Sequence, residues 1–237
     1  MVREVVDTKH GFGRRPHYDP RELDRMFENL ATSFLKAKYG SVSYPFGTED
    51  LKTFIEGHVA SLDQYADLSR FGPMVEGVTI FRPGKGKPEV AVAAALQNVE
   101  NRQRMTLAHE FGHVHLHAYL FDMKDRQNTN LPSNHDPNGI YCKRDTIETA
   151  ASADWLEWQA SYAASALLAP ASAVRNTVRP VLEQAGLYGP VAAATEHGAA
   201  LISAVSQAFT ISREAARVRL SVLNILGTPT ASGSLFS

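Results

Sequence analysis

The chain has 237 residues, of which 44% are hydrophobic and 21% are charged, and these proportions are ordinary for a globular protein that buries a core. Its formal net charge of −1 excludes a general electrostatic attraction to nucleic acids or to anionic membranes. The single cysteine, Cys142, excludes an intramolecular disulfide and fits a reducing compartment. Because the N-terminus lacks an apolar leader and no apolar run approaches the ~20 residues of a membrane span, we expect a cytoplasmic protein.

The first part of the chain is predicted to be a flexible polar arm over residues 1–18, followed by two helices. Apolar residues recur at helical spacing after the arm, and Gly40 is a typical stop for the first helix. The second helix is predicted to begin at Thr48, with acidic residues in its first turn. After the second helix, the spacing of the apolar residues is no longer helical. The runs VEGVTIF (75–81) and EVAVAAAL (89–96) are strand-like and flank a turn-rich linker, which indicates a β-hairpin or two adjacent strands.

A long helix is predicted next, from Asn98 or Val99 to about Leu120, and it carries four of the chain's nine histidines. A polar loop follows over residues 121–139, and loops of that length are often functional or mobile. A short strand is predicted at residues 140–144.

Helices also dominate the remainder of the chain. An alanine-rich helix is predicted from about Ala153 to Leu168, and at least two more helices fill residues 171–226. The last residues, 227–237, are predicted to be disordered. These elements predict an α+β fold that is mostly helical with a small β-sheet or hairpin, in which residues 19–170 form the main domain and a helical segment follows it.

The histidine-rich segment TLAHEFGHVHLH contains the pattern H-E-x-x-H at residues 109–113. Positions i and i+4 of a helix lie about 40° apart and one turn along, so His109 and His113 can bind one metal ion. Glu110 is offset by about 100°, where its carboxylate can act on a water without binding the metal itself. The pattern therefore predicts a metal site with Glu110 as its general base.

The competing interpretation is a buried helix whose histidines are satisfied by hydrogen bonds. This helix is apolar nearly all round, and burying two imidazoles and a glutamate there would be costly unless something bound them. His115 and His117 lie outside the motif. A ligand role is conceivable for His117, four residues beyond His113, but a structural role is favoured for both.

A third ligand decides the class of metal site, because zinc hydrolases usually present three protein ligands. The longer pattern H-E-x-x-H-x-x-G-x-x-H fails, since Leu116 and Tyr119 stand where it needs glycine and histidine. The alternative is a downstream carboxylate. The candidates, besides acids of the loop, are Asp145, Glu148, Asp154 and Glu157.

Glu157 is favoured on packing grounds, because small residues follow it in EWQASYAASALLAP and would let its helix lie close to the histidine helix. Ser161, one turn after Glu157, could hydrogen-bond a ligand imidazole. The competing interpretation of Glu157 is a surface glutamate at a helix start, stabilised by the helix dipole.

Together the two motifs resemble the ImmA/IrrE family of metallopeptidases. The resemblance covers roughly residues 20–226 and is carried by RQRMTLAHEFGHVHLH (102–117), IYCKR (140–144) and EWQASYAASALLAP (157–170). The family's second motif typically reads E-x-x-A-N-x-F-A-x-x-L-L-M-P. This chain departs from it at Ser161, Tyr162 and Ala169, where Asn or Asp, Phe and Met are usual.

The resemblance implies a zincin-like metallopeptidase domain that binds Zn²⁺ through His109, His113 and Glu157, with Glu110 as general base. A site of two histidines and one carboxylate also accepts other divalent ions, such as Mn²⁺. It further implies an intracellular regulatory endopeptidase that cleaves a helix-turn-helix (XRE-type) repressor in response to DNA damage or a mobile-element signal. A neutral hydroxyl at Ser161 would support its histidine less strongly than a carboxylate would.

A second oxyanion donor is usual in such enzymes, and Tyr141, His135 and Tyr162 are candidates that could equally be core or loop residues. Cys142 is interpreted as a small buried hydrophobe, with an inhibitory thiolate as the alternative.

The segment ALISAVSQAFTISREAARVRL (200–220) has the pattern of a helix-turn-helix, with Ser212 capping a second helix that carries Arg213, Arg217 and Arg219. Its modest charge and regular apolar residues favour a packing helix pair instead. Besides the endopeptidase, two alternatives therefore stay open: a DNA-associated regulator whose metal is structural or sensory, and an antirepressor that binds its partner without cleavage.

Overall fold

The computed structural model describes residues 3–72, 74–82, 84, 86–127, 139–143 and 154–227, with side chains described throughout except at 125, 127 and 139–143. Within these ranges the chain is an α+β structure of seven α-helices and two small sheets, which confirms the predicted class of mostly helices with a small sheet. No helix in these ranges is both long and apolar enough to cross a membrane.

The helices are α1 (Pro20–Tyr39), α2 (Thr48–Glu56), α3 (Glu100–Gln127), α4 (Trp155–Leu168), α5 (Ala171–Gln184), α6 (Glu196–Phe209) and α7 (Arg213–Val222). The strands are β1 (Arg3–Val6), β2 (Arg14–His17), β3 (Ser61–Ala66), β4 (Val75–Ile80), β5 (Glu89–Ala93) and β6 (Gly139–Lys143). Short 3-10 turns lie at Ser69–Phe71 and Ala94–Leu96.

Local signals account for the limits of the first helix. The side chain of Glu22 accepts a hydrogen bond from the backbone N–H of Asp19 at 2.9 Å, which satisfies a donor at the helix start. Gly40 ends the helix with a left-handed φ of 72°. The predicted start of this helix at Asp19-Pro20 and its predicted end at Gly40 are confirmed. Helix α3 is longer than predicted and occupies the first part of the expected loop, while residues 128–138 lie outside the described ranges.

The larger sheet has four strands in the order β3-β5-β4-β6. Strand β4 is antiparallel to both of its neighbours, and β3 is parallel to β5. The predicted hairpin of β4 and β5 and the predicted strand β6 are confirmed. Strand β3 was not predicted, because its sequence SLDQYA is mostly polar and it lies at the edge of the sheet.

The N-terminal segment is not a loose arm. Strands β1 and β2 pair antiparallel, and Phe12 in the connection between them packs with Leu120 and Leu156 in a small apolar cluster. The buried carboxylate of Asp7 holds this connection together by accepting hydrogen bonds from three backbone N–H groups and from the indole of Trp155. The prediction of a flexible arm was wrong because Asp7 satisfies the polar backbone that composition alone assigned to solvent.

The C-terminal helices share the main hydrophobic core. Side chains of α5, α6 and α7 belong to the same buried cluster as those of α1, α3 and α4. Arg104, which is buried on α3, donates to the backbone carbonyls of Phe46 at 2.7 Å and Phe209 at 3.3 Å. Residues 171–226 are therefore packed on the main domain as part of one core. The predicted tail lies outside the described residues, apart from Gly227.

Candidate metal centre

Helices α3 and α4 lie in direct backbone contact. A Cβ added to Gly112 would come within 2.9 Å of both the Cα and the carbonyl oxygen of Ala160, and within 3.2 Å of the Cβ of Ala163. Real side chains cannot occupy that space, so only glycine lets the two helices approach so closely. This approach brings the first turn of α4, with Glu157, against the histidines of α3.

The three predicted ligands converge. The Nε2 atoms of His109 and His113 lie 3.0 Å apart. Oxygens of the Glu157 carboxylate lie 3.2 Å from Nε2 of His109 and 3.4 Å from Nε2 of His113. A tetrahedral ion with bonds of about 2.0–2.1 Å needs its ligand atoms about 3.3 Å apart, which is close to these three distances. These residues could therefore hold a metal ion.

The outer ring nitrogens of both histidines have their own partners. Ser161 Oγ lies 3.3 Å from Nδ1 of His109. Nδ1 of His113 lies 3.0 Å from Nδ1 of His117. Because Nδ1 is engaged in each ring, Nε2 is the atom that each ring presents to the centre, and such outer contacts hold metal-binding imidazoles in orientation.

Burial and charge act in opposite directions at this centre. Burial would raise the pKa of Glu157, but hydrogen bonds and charge from both facing rings outweigh it and hold that pKa well below its usual range. Burial lowers the pKa of His109, whereas the Glu157 carboxylate overcomes burial and raises the pKa of His113. Because the Glu157 carboxylate stays ionised, it favours a positive charge at the point between the Nε2 atoms of the two histidines.

Glu110 is fully buried and lies against strand β4. The hydroxyl of Thr79 donates to its Oε2 at 2.5 Å. A Cβ at Gly77 would overlap Oε1 of Glu110 and come within 2.8 Å of a methyl carbon of Thr106. Sequence reasoning missed both strand residues. The available signal was a glycine inside a strand, which often marks a close approach by another group.

Other candidates are placed elsewhere. Asp154 caps α4 by accepting from the backbone N–H of Leu156, and it also contacts His10, so it belongs to the packing of the N-terminal hairpin. The hydroxyl of Tyr162 donates to Asp24 at 3.0 Å, which makes it a core contact rather than an oxyanion donor. His135, Asp145, Glu148 and the side chains of Tyr141 and Cys142 lie outside the described residues.

The two helices and the turn predicted for this segment are present, but Arg219, the last of its three arginines, points inward. Ser212 caps α7 by accepting from the backbone N–H of Ala215 at 3.0 Å. Arg219 is 1% exposed, donates to the carbonyl of Ala169 at 2.8 Å, and pairs with Asp24 at 2.6 Å. It is therefore a core residue of the interface with α1 and α4, and it cannot read DNA from this position.

No protein-family model matches the chain, and no curated protein is significantly similar to it. Its function is therefore inferred from the residues of the metal centre and from the surroundings of Glu110.

Proposed function

We propose that the chain is a zinc-dependent endopeptidase with a zincin-like domain, of the kind that the ImmA/IrrE resemblance implies. One observation carries this proposal: the carboxylate of Glu157 faces the Nε2 atoms of both His109 and His113 at 3.2 and 3.4 Å. Two imidazoles and a carboxylate form the ligand set of many zinc hydrolases.

Each residue of the centre then has a distinct role. His109, His113 and Glu157 hold the ion, which when bound supplies Lewis acidity toward water and toward a peptide carbonyl. Glu110 takes a proton from the attacking water and passes it to the leaving amine. Thr79 holds the Glu110 carboxylate in place by donating to Oε2, so the base keeps one orientation.

The number of ligands supports a catalytic role over a structural one. Among the described residues the group has three members, whereas structural zinc sites usually have four protein ligands. Glu110 adds a buried carboxylate on the same helix, next in sequence to His109, and a purely structural site has no need of such a base.

We propose a helix-turn-helix repressor as the substrate, on the strength of the family resemblance. The test is to mix the purified, zinc-loaded chain with the product of a repressor gene found beside its own, and to follow intact masses. The wild-type chain should cut the repressor at a defined bond, and Glu110→Gln should retain zinc but lose cleavage. Equal cleavage by Glu110→Gln would overturn the role of the base.

The same mixture, together with a mobility-shift assay on duplex DNA, separates the two alternatives. A partner-binding antirepressor would form a complex with the repressor and leave its mass unchanged. A DNA-associated regulator would retard duplex DNA in a salt-dependent manner. The inward position of Arg219 gives no support to DNA reading by α7.

A further inference from the structure

A chain of buried polar groups connects the N-terminal hairpin to the metal centre. The side-chain N–H of Gln159 donates to the carbonyl of Pro16 in β2 at 3.3 Å. Its side-chain oxygen lies 3.0 Å from Nε2 of His117, and Nδ1 of His117 lies 3.0 Å from Nδ1 of His113. Gln159 and His117 are 1% and 0% exposed, so bulk water does not compete for these contacts.

The donor and the acceptor of each hydrogen bond in this series are fixed by the chemistry of its two ends. A backbone carbonyl such as that of Pro16 only accepts, so the Gln159 amide turns its N–H group toward it and its oxygen toward His117. That oxygen also only accepts, which places the proton of a neutral His117 on Nε2 and a lone pair on Nδ1. His113 then donates from Nδ1, which leaves the lone pair of a neutral ring on Nε2 for a metal ion bound between His113 and Glu157.

The other histidine ligand, His109, has no partner that fixes its tautomer in this way. His109 has the hydroxyl of Ser161 against Nδ1 at 3.3 Å, and a hydroxyl can either donate or accept. Ser161 therefore permits a lone pair on Nε2 of His109 without enforcing it. The directional support falls on His113 alone, in a chain where a serine replaces the Asn or Asp usual in the family that it resembles.

We propose that Gln159 and His117 are positioning residues that set the tautomer of His113 for metal binding. The hydrogen bonds from Pro16 through Gln159 and His117 to His113 form a relay, and the carbonyl of Pro16 is its fixed end. The proposal rests on the metal site of the proposed function but does not depend on peptide cleavage. His117, conceived from sequence as a further ligand, acts through His113 instead. The N-terminal hairpin thereby becomes part of the support of the centre.

The protonation pattern can be read directly by ¹⁵N NMR of the histidine rings in the zinc-loaded, full-length chain. His113 should be protonated at Nδ1 and metal-bound at Nε2, and His117 should be protonated at Nε2. A proton on Nδ1 of His117, or zinc on Nδ1 of His113, would overturn the relay.

Two substitutions of similar length test the role of the acceptor. Gln159→Met removes it and should weaken zinc binding about 10- to 100-fold, measured by competition with a chromogenic chelator. Gln159→Glu keeps an acceptor toward His117 but loses the donor to Pro16, so it should weaken zinc binding less than Gln159→Met does. Equal weakening by both substitutions, or none by Gln159→Met, would overturn the relay.

His115→Phe is the matched control on α3, because His115 packs against the rings of Phe27 and Phe111. It should leave zinc affinity unchanged. Melting of the metal-free variants reports whether each still folds, and the NMR measurement needs no variant. A wild-type chain that binds no zinc would overturn the proposed function together with the relay. Tight wild-type binding with an indifferent Gln159→Met would overturn the relay alone.

Discussion

The hydroxyl of Thr79 donates a hydrogen bond to Oε2 of Glu110, with the two oxygens 2.5 Å apart and both residues fully buried. This bond joins the four-stranded sheet to the helix that carries the histidines. It gives strand β4 a role in the proposed chemistry, because the orientation of the base depends on it.

Thr79→Val keeps the shape of the side chain and removes the donor. We expect cleavage of the repressor, measured as kcat/KM, to fall about 10- to 100-fold, because the base loses its fixed orientation. Zinc content should stay unchanged, since Thr79 contacts none of the three predicted ligands. Thr53→Val on α2, where the exposed hydroxyl donates to the carbonyl of Glu49, is the control. Full cleavage by Thr79→Val would show that the bond has no catalytic role.

Gly77→Ala should destabilise the fold, because the added methyl group would overlap the carboxylate of Glu110. We expect a loss of about 1–3 kcal/mol in the free energy of unfolding, measured with urea. Gly57→Ala is a suitable control, since Gly57 has φ of −63° and an added Cβ would meet its nearest atom at an ordinary 3.4 Å. Equal stability of the Gly77 variant and the wild-type chain would contradict the close approach.

The placement of Glu157 near the histidine pair could be predicted from sequence because the signal is local. A run of small residues predicts a close helix contact, and the ligand lies on the face that makes that contact. Thr79 and Gln159 could not be predicted in this way. Their partners belong to elements far away in sequence, and register between such elements cannot be read from periodicity.

The N-terminal hairpin and strand β3 were missed for a related reason. Strand β3 is mostly polar, and the two valines of β1 are adjacent rather than alternating, so hydrophobic alternation, the main signal for a strand, is weak in both. The direction of Arg219 was also hidden, because a helix with both apolar and basic residues predicts a basic surface unless its buried partner, here Asp24, is known.

Asp7 should stabilise the hairpin in a pH-dependent manner. Burial works against its charge, but hydrogen bonds from the backbone and from Trp155 outweigh burial and lower its pKa in the folded chain. Its contribution is therefore present above the unfolded pKa of about 3.9 and is lost as pH falls through the lower folded value.

Asp7→Asn should cost about 1.5–3 kcal/mol at neutral pH, and this difference from the wild-type chain should shrink below about pH 4. The measurement is urea unfolding with a chelator present, so that metal release does not contribute. Asp63→Asn, where the exposed aspartate accepts one hydrogen bond from the backbone of Tyr65, should change little at either pH. A difference independent of pH would contradict the role of the Asp7 charge.

Arg219→Met tests whether α7 is a core element. Removing one partner of a buried ion pair leaves Asp24 uncompensated, so we expect a loss of about 3–5 kcal/mol in the free energy of unfolding. Arg217→Met is the control, because the exposed Arg217 pairs with Glu214 on the same helix. Unchanged stability of Arg219→Met with weakened DNA binding would instead favour the DNA-associated alternative.

The zinc affinity of Glu157→Gln tests the metal centre most directly. Glu196→Gln is its matched control, because Glu196 is an exposed glutamate in the first turn of another helix. Like Glu157, it lies near the positive end of a helix dipole. The wild-type chain and Glu196→Gln should bind a single zinc ion with equal affinity, and Glu157→Gln should bind it more than about 100-fold more weakly. Equal zinc affinity of Glu157→Gln and the wild-type chain would contradict the proposed centre.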